Sequence, residues 1–224
     1  MNNTIDYELL GSTVSHALRH APASYSMELD KHGWGSLADL VHALQSKHER
    51  WRALTEDHLH LMVAVTRRRR HEIKDGRIRA LYGHSLKTGR IVLQPKEPPV
   101  TLFHGTDLEA AVAIFRDGLY RMKRQHVHLT TDREYALSVK HGRRAHVVVL
   151  TVRAREVFHR RAVPFYEASE HVWLSEYVPP DFVDLENKST LLAEWDRWRG
   201  IQTALSAMGE WSGISNLETQ SGRP

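Results

Sequence analysis

Cysteine is absent from the 224 residues of the chain. Disulfide frameworks, thiolate zinc sites and cysteine nucleophiles are therefore excluded. No apolar run approaches the roughly 20 residues that a membrane-spanning helix needs. The first residues also lack the basic start and apolar centre of a secretion signal. These absences predict a cytoplasmic protein with no membrane partner.

Several common catalytic motifs are missing as well. The sequence contains no Gly-rich dinucleotide fingerprint, phosphate-binding loop with its lysine, His-Glu-x-x-His motif or Gly-x-Ser-x-Gly motif. Histidine pairs such as His126 and His128 share a face of a strand, but they supply neither the third ligand nor the second shell of a catalytic zinc site. We therefore expect no metal.

Composition and charge fit an ordinary globular protein of one large or two small domains, with 41% apolar and 26% charged residues. The net charge of +4 is only mildly basic. Clustering is more informative, because Arg67–Arg70 form one block of arginines. Such a run can contact nucleic acid, although an isolated run is more often a solvated face.

A candidate domain boundary lies where Pro95, Pro98 and Pro99 follow one another closely. Proline opposes the continuation of both helices and strands. We therefore divide the chain into residues 1–94, a linker at 95–99, residues 100–185 and a tail at 186–224.

The first domain reads as three helices and a hairpin. Apolar residues at helical spacing predict a helix over residues 5–20. Ser36 and Thr55 are candidate N-caps of two further helices. Asp75-Gly76 is typical of a type I′ turn between two short strands. This order indicates a winged helix, a module that often contacts nucleic acid.

Alternation along the second hairpin strand predicts that Ile78 faces the helices and that Arg77 and Arg79 face away from them. The second domain, by contrast, reads as short strands separated by short helices. Its predicted fold class is α+β with a mixed, largely antiparallel β-sheet. Thr106, with Glu109 three residues later, has the spacing of a capping box and predicts that a helix begins there.

A series of short motifs runs along both domains in a fixed order. They are Leu18-Arg19-His20, Asp30-Lys31-His32-Gly33-Trp34, Ile78-Arg79-Ala80, Gly83-His84-Ser85, Phe103-His104-Gly105-Thr106, Gly118-Leu119, Arg124-Gln125-His126-Val127-His128-Leu129, His141-Gly142-Arg143-Arg144 and Val172-Trp173-Leu174-Ser175. In number, order and spacing they resemble the NAD-dependent RNA 2′-phosphotransferases. The resemblance covers residues 8 to 183.

This resemblance implies a winged-helix RNA-binding lobe followed by an NAD-binding lobe with an ADP-ribosyltransferase-like fold. It also implies that an internal RNA 2′-phosphate attacks NAD and expels nicotinamide, giving an ADP-ribosylated 2′-phosphate. A ribose hydroxyl then takes the phosphate. The products are 2′-OH RNA and ADP-ribose 1″,2″-cyclic phosphate. The implied partners of this expected monomer are NAD and a tRNA-like RNA.

The resemblance also assigns site residues. Arg19, His20 and Arg79 match the family positions that hold the 2′-phosphate, and Arg124 matches the arginine that stabilises the second step. These four are the implied catalytic residues. The implied NAD-binding residues are His84, Ser85, His104, Gly105, Thr106, His128, Arg143 and Val172. Arg143 and its neighbour Arg144 could equally be solvated.

Two positions depart from the family pattern. Glu170-His171 replace the usual Asn-Gly before the Val-Trp-Leu motif, and Tyr82 replaces a glutamine before Gly-His-Ser. Two other functions also stay open. The protein could be an ADP-ribosyltransferase that caps terminal phosphates of RNA or DNA, or a non-catalytic winged-helix RNA-binding protein.

Overall fold

The structure is a computed structural model that describes residues 5–138, 147–185 and Arg197. It is a mixed α+β fold built from helices and several antiparallel sheets. The described residues up to Val183 belong to one compact unit. A boundary at residues 95–99 stays a prediction. No helix in the described ranges combines the length and the apolar character needed to cross a membrane.

Three helices form the first half of this unit. They are α1 (Tyr7–Arg19), α2 (Leu37–Lys47) and α3 (Glu56–Val65). The predicted caps of α2 and α3 are confirmed: the Ser36 hydroxyl accepts a hydrogen bond from the Asp39 N–H, and Thr55 forms a capping box with His58. Helix α1 begins later than predicted because the Asp6 carboxylate caps it.

A three-stranded antiparallel sheet packs beside these helices. Its strands are β1 (Gly35–Ser36), β2 (His71–Lys74) and β3 (Arg77–Ala80), in the order β1-β3-β2. Asp75 and Gly76 both have positive φ, as a type I′ turn requires. Ile78 and Ala80 are buried among the helices, whereas Arg77 is exposed. The predicted alternation is therefore confirmed.

The second half contains a six-stranded sheet in the order β11-β7-β4-β6-β9-β8. Its strands are β4 (Leu102–Asp107), β6 (Val127–Thr130), β7 (Val147–Val152), β8 (Phe165–Ser169), β9 (Val172–Ser175) and β11 (Val183–Asp184). Two short strands, β5 (Leu119–Tyr120) and β10 (Tyr177–Val178), pair separately. The interior of the larger sheet holds β4, which pairs along its whole length with β7.

The helices of this half are α4 (Leu108–Asp117), α5 (Arg133–Ser138) and α6 (Ala154–Arg161). The prediction that Thr106 begins a helix is wrong. Thr106 is still in β4, opposite Val148, and the Asp107 carboxylate caps α4 by accepting the Ala110 N–H. Since both threonine and aspartate are good N-caps, spacing alone could not choose between neighbours.

Residues just after β3 join the two halves through packing. Tyr82 lies in a buried cluster with Tyr166, Val172 and Leu174 of strands β8 and β9. The chain therefore passes from the helices and small sheet directly onto the larger sheet near residue 82.

Candidate active site

The end of α1 carries the first two predicted phosphate-binding residues. Arg19 is the last residue of α1, and His20 is its C-cap. The guanidinium of Arg19 lies 5.1 Å from the ring centroid of Tyr82. Burial lowers the pKa of Arg19 to about 10, an effect that Arg70 and Arg124 add to and Tyr82 opposes. Arg19 is thus a largely desolvated cation.

A glycine loop holds Arg19 in place from one side. Gly83 has φ of +88°, and a Cβ there would lie 3.3 Å from the Cδ of Arg19. Glycine adopts this backbone conformation without strain. The next residues continue the contact, because the Ser85 N–H donates to the Arg19 carbonyl at 3.0 Å.

Arg124 joins the same loop. It forms an antiparallel bridge with Ser85, and its exposed side chain lowers the pKa of Arg19, His20 and His128. A charge acts on another in this way only at short range. Arg124 therefore shares a region with the end of α1, although a hundred residues separate them along the chain.

His84 is the buried centre of this group. Burial, together with the smaller effects of the charges of Arg19, His126, His20 and Arg79, lowers its pKa to about 4. The imidazole is consequently neutral near pH 7. Since three predicted phosphate-binding residues all act on this one ring, Arg19, His20 and Arg79 converge around His84.

Arg79 is half-buried, and its guanidinium is held by two contacts. Its Nε and Nη2 both donate to Oε2 of Glu72, at 2.9 and 2.6 Å. Its guanidinium also lies 4.5 Å from the ring centroid of Trp34. The sequence could have indicated Glu72, because a two-residue turn at Asp75-Gly76 places residues 72 and 79 opposite each other.

Gln125 is a further site residue to which the sequence analysis assigned no role. Its buried side-chain amide donates to the carbonyls of Ser85, Thr88 and Gly89, and its oxygen accepts the Ile91 N–H at 3.0 Å. Its own backbone N–H donates to the His84 carbonyl. Gln125 therefore fixes the loop that positions His84 and Ser85. The sequence signal that could have identified Gln125 was its position in the motif that begins at Arg124.

The His104-Gly105-Thr106 motif lies on β4. The His104 Nδ1 hydrogen-bonds to the His128 carbonyl at 2.9 Å. At Gly105, an added Cβ would lie 1.8 Å from the Ala136 carbonyl oxygen. Close packing of α5 is thus a sufficient reason for glycine at this position, which the family resemblance assigned to NAD binding. Thr106 is buried within the strand.

His128 lies on β6. Burial first, and Arg124 second, lower its pKa to about 3, so this ring is also neutral. Its ring packs edge-on against Tyr82. Val172, on β9, is buried in the cluster around Tyr82, so it contributes apolar surface. The candidate Arg143 lies outside the described residues.

Four buried polar atoms at this site have no hydrogen-bond partner among the residues that the structure describes. They are the Nε of Arg19, the Nε2 of His84, the Oγ of Ser85 and the Nε2 of His128. Native proteins pair most buried polar atoms, so a group of unpaired ones indicates a place where a polar ligand binds. Together with the converging arginines, they suit a ligand that is both polar and anionic.

Across the described ranges, no group of three or more histidine, aspartate or glutamate side chains could hold a metal ion.

Comparison with known proteins gives a consistent result. Residues 6–177 match the family model of the RNA 2′-phosphotransferase, Tpt1 / KptA family. The chain is 40% identical over 182 residues to "Probable RNA 2′-phosphotransferase" of Acetivibrio thermocellus, covering 81% of this chain and 98% of that protein. A protein of the same name from Bacillus thuringiensis subsp. konkukian is 40% identical over 186 residues, or 82% of this chain and 97% of its own. The one from Thermococcus kodakarensis is 36% identical over 176 residues, covering 77% and 93%.

Proposed function

Because this chain belongs to the RNA 2′-phosphotransferase, Tpt1 / KptA family, we propose that it transfers an internal 2′-phosphate from RNA to NAD. The observation that carries this proposal is the convergence of Arg19, His20 and Arg79 around one buried, neutral His84. Arg19 also lies near the cations Arg70 and Arg124, and because like charges repel, a fold that gathers them is suited to an external anion. A phosphate dianion on RNA is such an anion.

The proposed reaction has two steps. In the first, an oxygen of the RNA 2′-phosphate bonds to the anomeric carbon of the nicotinamide ribose of NAD. The bond to nicotinamide breaks, and nicotinamide leaves with the electron pair. In the second, the neighbouring 2″-hydroxyl attacks phosphorus, and the bond to the RNA 2′-oxygen breaks. That oxygen gains the proton that the hydroxyl loses. The products are 2′-OH RNA and ADP-ribose 1″,2″-cyclic phosphate.

The three arginines and His20 take distinct parts in this proposal. Arg19, His20 and Arg79 hold the 2′-phosphate, since arginine grips phosphate through two N–H groups at once. The negative charge that develops at phosphorus in the second step is stabilised by Arg124. The salt bridge to Glu72 and the stacking on Trp34 fix the guanidinium of Arg79 before substrate arrives. Such preorganisation reduces the cost of reaching the transition state.

The buried polar atoms fit the NAD side of the proposal. His84, Ser85 and His128 each offer an unpaired polar atom, and a dinucleotide has hydroxyl and phosphate groups that can satisfy them. The low pKa values of His84 and His128, about 4 and about 3, keep both rings neutral. Neutral rings can donate a hydrogen bond from one nitrogen and accept one at the other. The hydrogen bond between the His104 ring and the His128 carbonyl places a third NAD-binding candidate beside His128.

We assign the two halves of the chain accordingly. Residues 1–94 are proposed to be a winged-helix RNA-binding lobe, supported by three helices followed by the β2–β3 hairpin. Residues 100–185 are proposed to be an ADP-ribosyltransferase-like, NAD-binding lobe, supported by the six-stranded sheet. The phosphate-binding arginines come from the first lobe and Arg124 from the second.

The proposal is tested by incubating the protein with NAD and an oligonucleotide that carries one internal 2′-phosphate. We expect nicotinamide, ADP-ribose 1″,2″-cyclic phosphate and a 2′-OH strand, identified by mass spectrometry. Accumulation of an ADP-ribosylated strand alone would instead favour the capping ADP-ribosyltransferase. Binding of RNA with no nicotinamide release would favour the non-catalytic RNA-binding protein.

The role of Arg124 has its own test. We expect Arg124→Ala to abolish release of the 2′-OH strand while RNA affinity changes only a few-fold, because this charge acts mainly on the transition state. Arg116→Ala is the matched control, since Arg116 is 72% exposed and pairs with its neighbour Asp117. Normal turnover by Arg124→Ala would show that its assigned role is wrong.

A further inference from the structure

The arginine run, Arg67–Arg70, connects α3 to β2 and is fixed at three points. The guanidinium of Arg68 lies 3.4 Å from the ring centroid of Tyr135 on α5. Arg69 forms a salt bridge of 3.2 Å with Glu72. The carbonyl of Arg70 accepts the Leu81 N–H at 3.0 Å. These contacts give the run a defined position instead of a free solvated conformation.

That position is beside the candidate active site. The Nη2 of Arg19 donates to the Arg70 carbonyl at 3.5 Å, and the charge of Arg70 lowers the pKa of Arg19. Tyr135, which carries the stacked Arg68, also acts electrostatically on Arg19. The Arg70 end of the run therefore lies next to Arg19, and the Arg67 end lies toward α3.

Most of the positive charge of the run is not paired with a carboxylate in the described part of the chain. Among the ion pairs of residues 5–138 and 147–185, Arg69 pairs with Glu72, and none involves Arg67, Arg68 or Arg70. Glu72 itself is shared with Arg79. A row of uncompensated cations next to a cationic site favours a ligand with several negative charges in a line.

We infer that the arginine run binds backbone phosphates of the RNA strand beyond the 2′-phosphorylated nucleotide. This inference rests on the proposed function for the identity of the substrate. The 2′-phosphate is already matched by Arg19, His20 and Arg79, so the run must serve other anions. The guanidinium groups of the run lie on successive residues, so together they can contact more than one phosphate group. Affinity therefore depends on the length of the RNA strand.

The experiment measures binding by fluorescence anisotropy across a range of salt concentrations, without NAD. Two labelled probes are used, a dinucleotide and a decanucleotide, each with one internal 2′-phosphate. The test variant is Arg67→Gln/Arg69→Gln, which leaves Arg70 and its contact with Arg19 in place. Arg50→Gln/Arg52→Gln removes the same charge from the exposed turn before α3, about 15 Å away along that ten-residue helix.

For the decanucleotide, we expect the test variant to lower the slope of log affinity against log salt by about 1.4, because each phosphate contact on a single strand contributes about 0.7. For the dinucleotide, the slope should stay within about 0.3 of the unmodified protein, and the control variant should leave both slopes unchanged. If the double variant does not fold, Arg67→Gln alone should lower the decanucleotide slope by about 0.7.

An unchanged decanucleotide slope would overturn the inference, as would equal losses for the two probes. A separate arm measures the KM for NAD. A raised KM together with an unchanged RNA slope would also overturn it, because the run would then serve the NAD diphosphate. RNA binding is measured without turnover. Absence of NAD-dependent dephosphorylation would therefore refute the proposed function, while the salt slopes would still test the role of the arginine run.

Discussion

Replacing Arg19 with methionine should make the free protein more stable and at the same time inactive. Burial lowers the pKa of Arg19 well below its ordinary value, to about 10. At about 1.4 kcal/mol per pKa unit, holding this charge costs the fold up to about 3 kcal/mol. Methionine has a similar length and no charge, so it removes that cost. It also loses the stacking on Tyr82, worth about 1 kcal/mol.

The expected net effect of Arg19→Met is therefore a gain of about 1–2 kcal/mol in the free energy of unfolding. Urea unfolding followed by tryptophan fluorescence measures it. Arg52→Met is the control, because a side chain that is 76% exposed should change stability by less than about 0.5 kcal/mol.

A ligand arm separates function from stability. A 2′-phosphorylated dinucleotide at about 100 times its Kd should stabilise the unmodified protein by about 2.7 kcal/mol. Arg19→Met should show no such stabilisation and no turnover. If the variant is less stable than the unmodified protein by more than about 1 kcal/mol, Arg19 is a structural residue and the reasoning is wrong.

Three other changes probe the surroundings of the site. Gly105→Ala should destabilise the fold by about 3 kcal/mol or more in urea, whereas Gly89→Ala, with open space at its Cβ, should change it little. His84 should make stability fall with acidity: between its unfolded pKa of 6.5 and its folded pKa of about 4, only the unfolded chain binds the proton. At about pH 5 this costs about 2 kcal/mol, and His84→Gln should flatten that part of the curve. Gln125→Leu should lower kcat at least about tenfold by releasing the His84 loop, and Gln125→Glu, which keeps only the acceptor, should not restore it.

Local signals in the sequence were sufficient for the first half of the site. Apolar spacing placed Arg19 and His20 at the end of a helix, and the structure has α1 ending at Arg19. The Asp75-Gly76 turn predicted the hairpin. Alternation along its second strand predicted that Arg79 and the buried Ile78 face opposite sides of the sheet. These predictions succeeded because each depends on residues close together in the chain.

The second half depended on contacts that the sequence does not display. Spacing placed a cap at Thr106, yet β4 continues through it because it pairs with Val148 on a strand more than forty residues later. The glycine at 105 was linked to a ligand, whereas the carbonyl of Ala136 already fills the space beside it. Only tertiary packing decides between such alternatives.

The energetics of the site are more consistent with ligand binding than with a structural role. The half-buried Arg19 and the neutral His84 and His128 each make the fold less stable than an apolar or paired residue would make it at the same position. The Gln125 amide, by contrast, has both its donors and its acceptor bonded, and it holds the loop that carries His84. Because Gln125 fixes this loop, the unpaired polar atoms of His84 and Ser85 are held in place for a ligand. An anion that accepts hydrogen bonds from Arg19 and His84 together would offset the cost that each imposes alone.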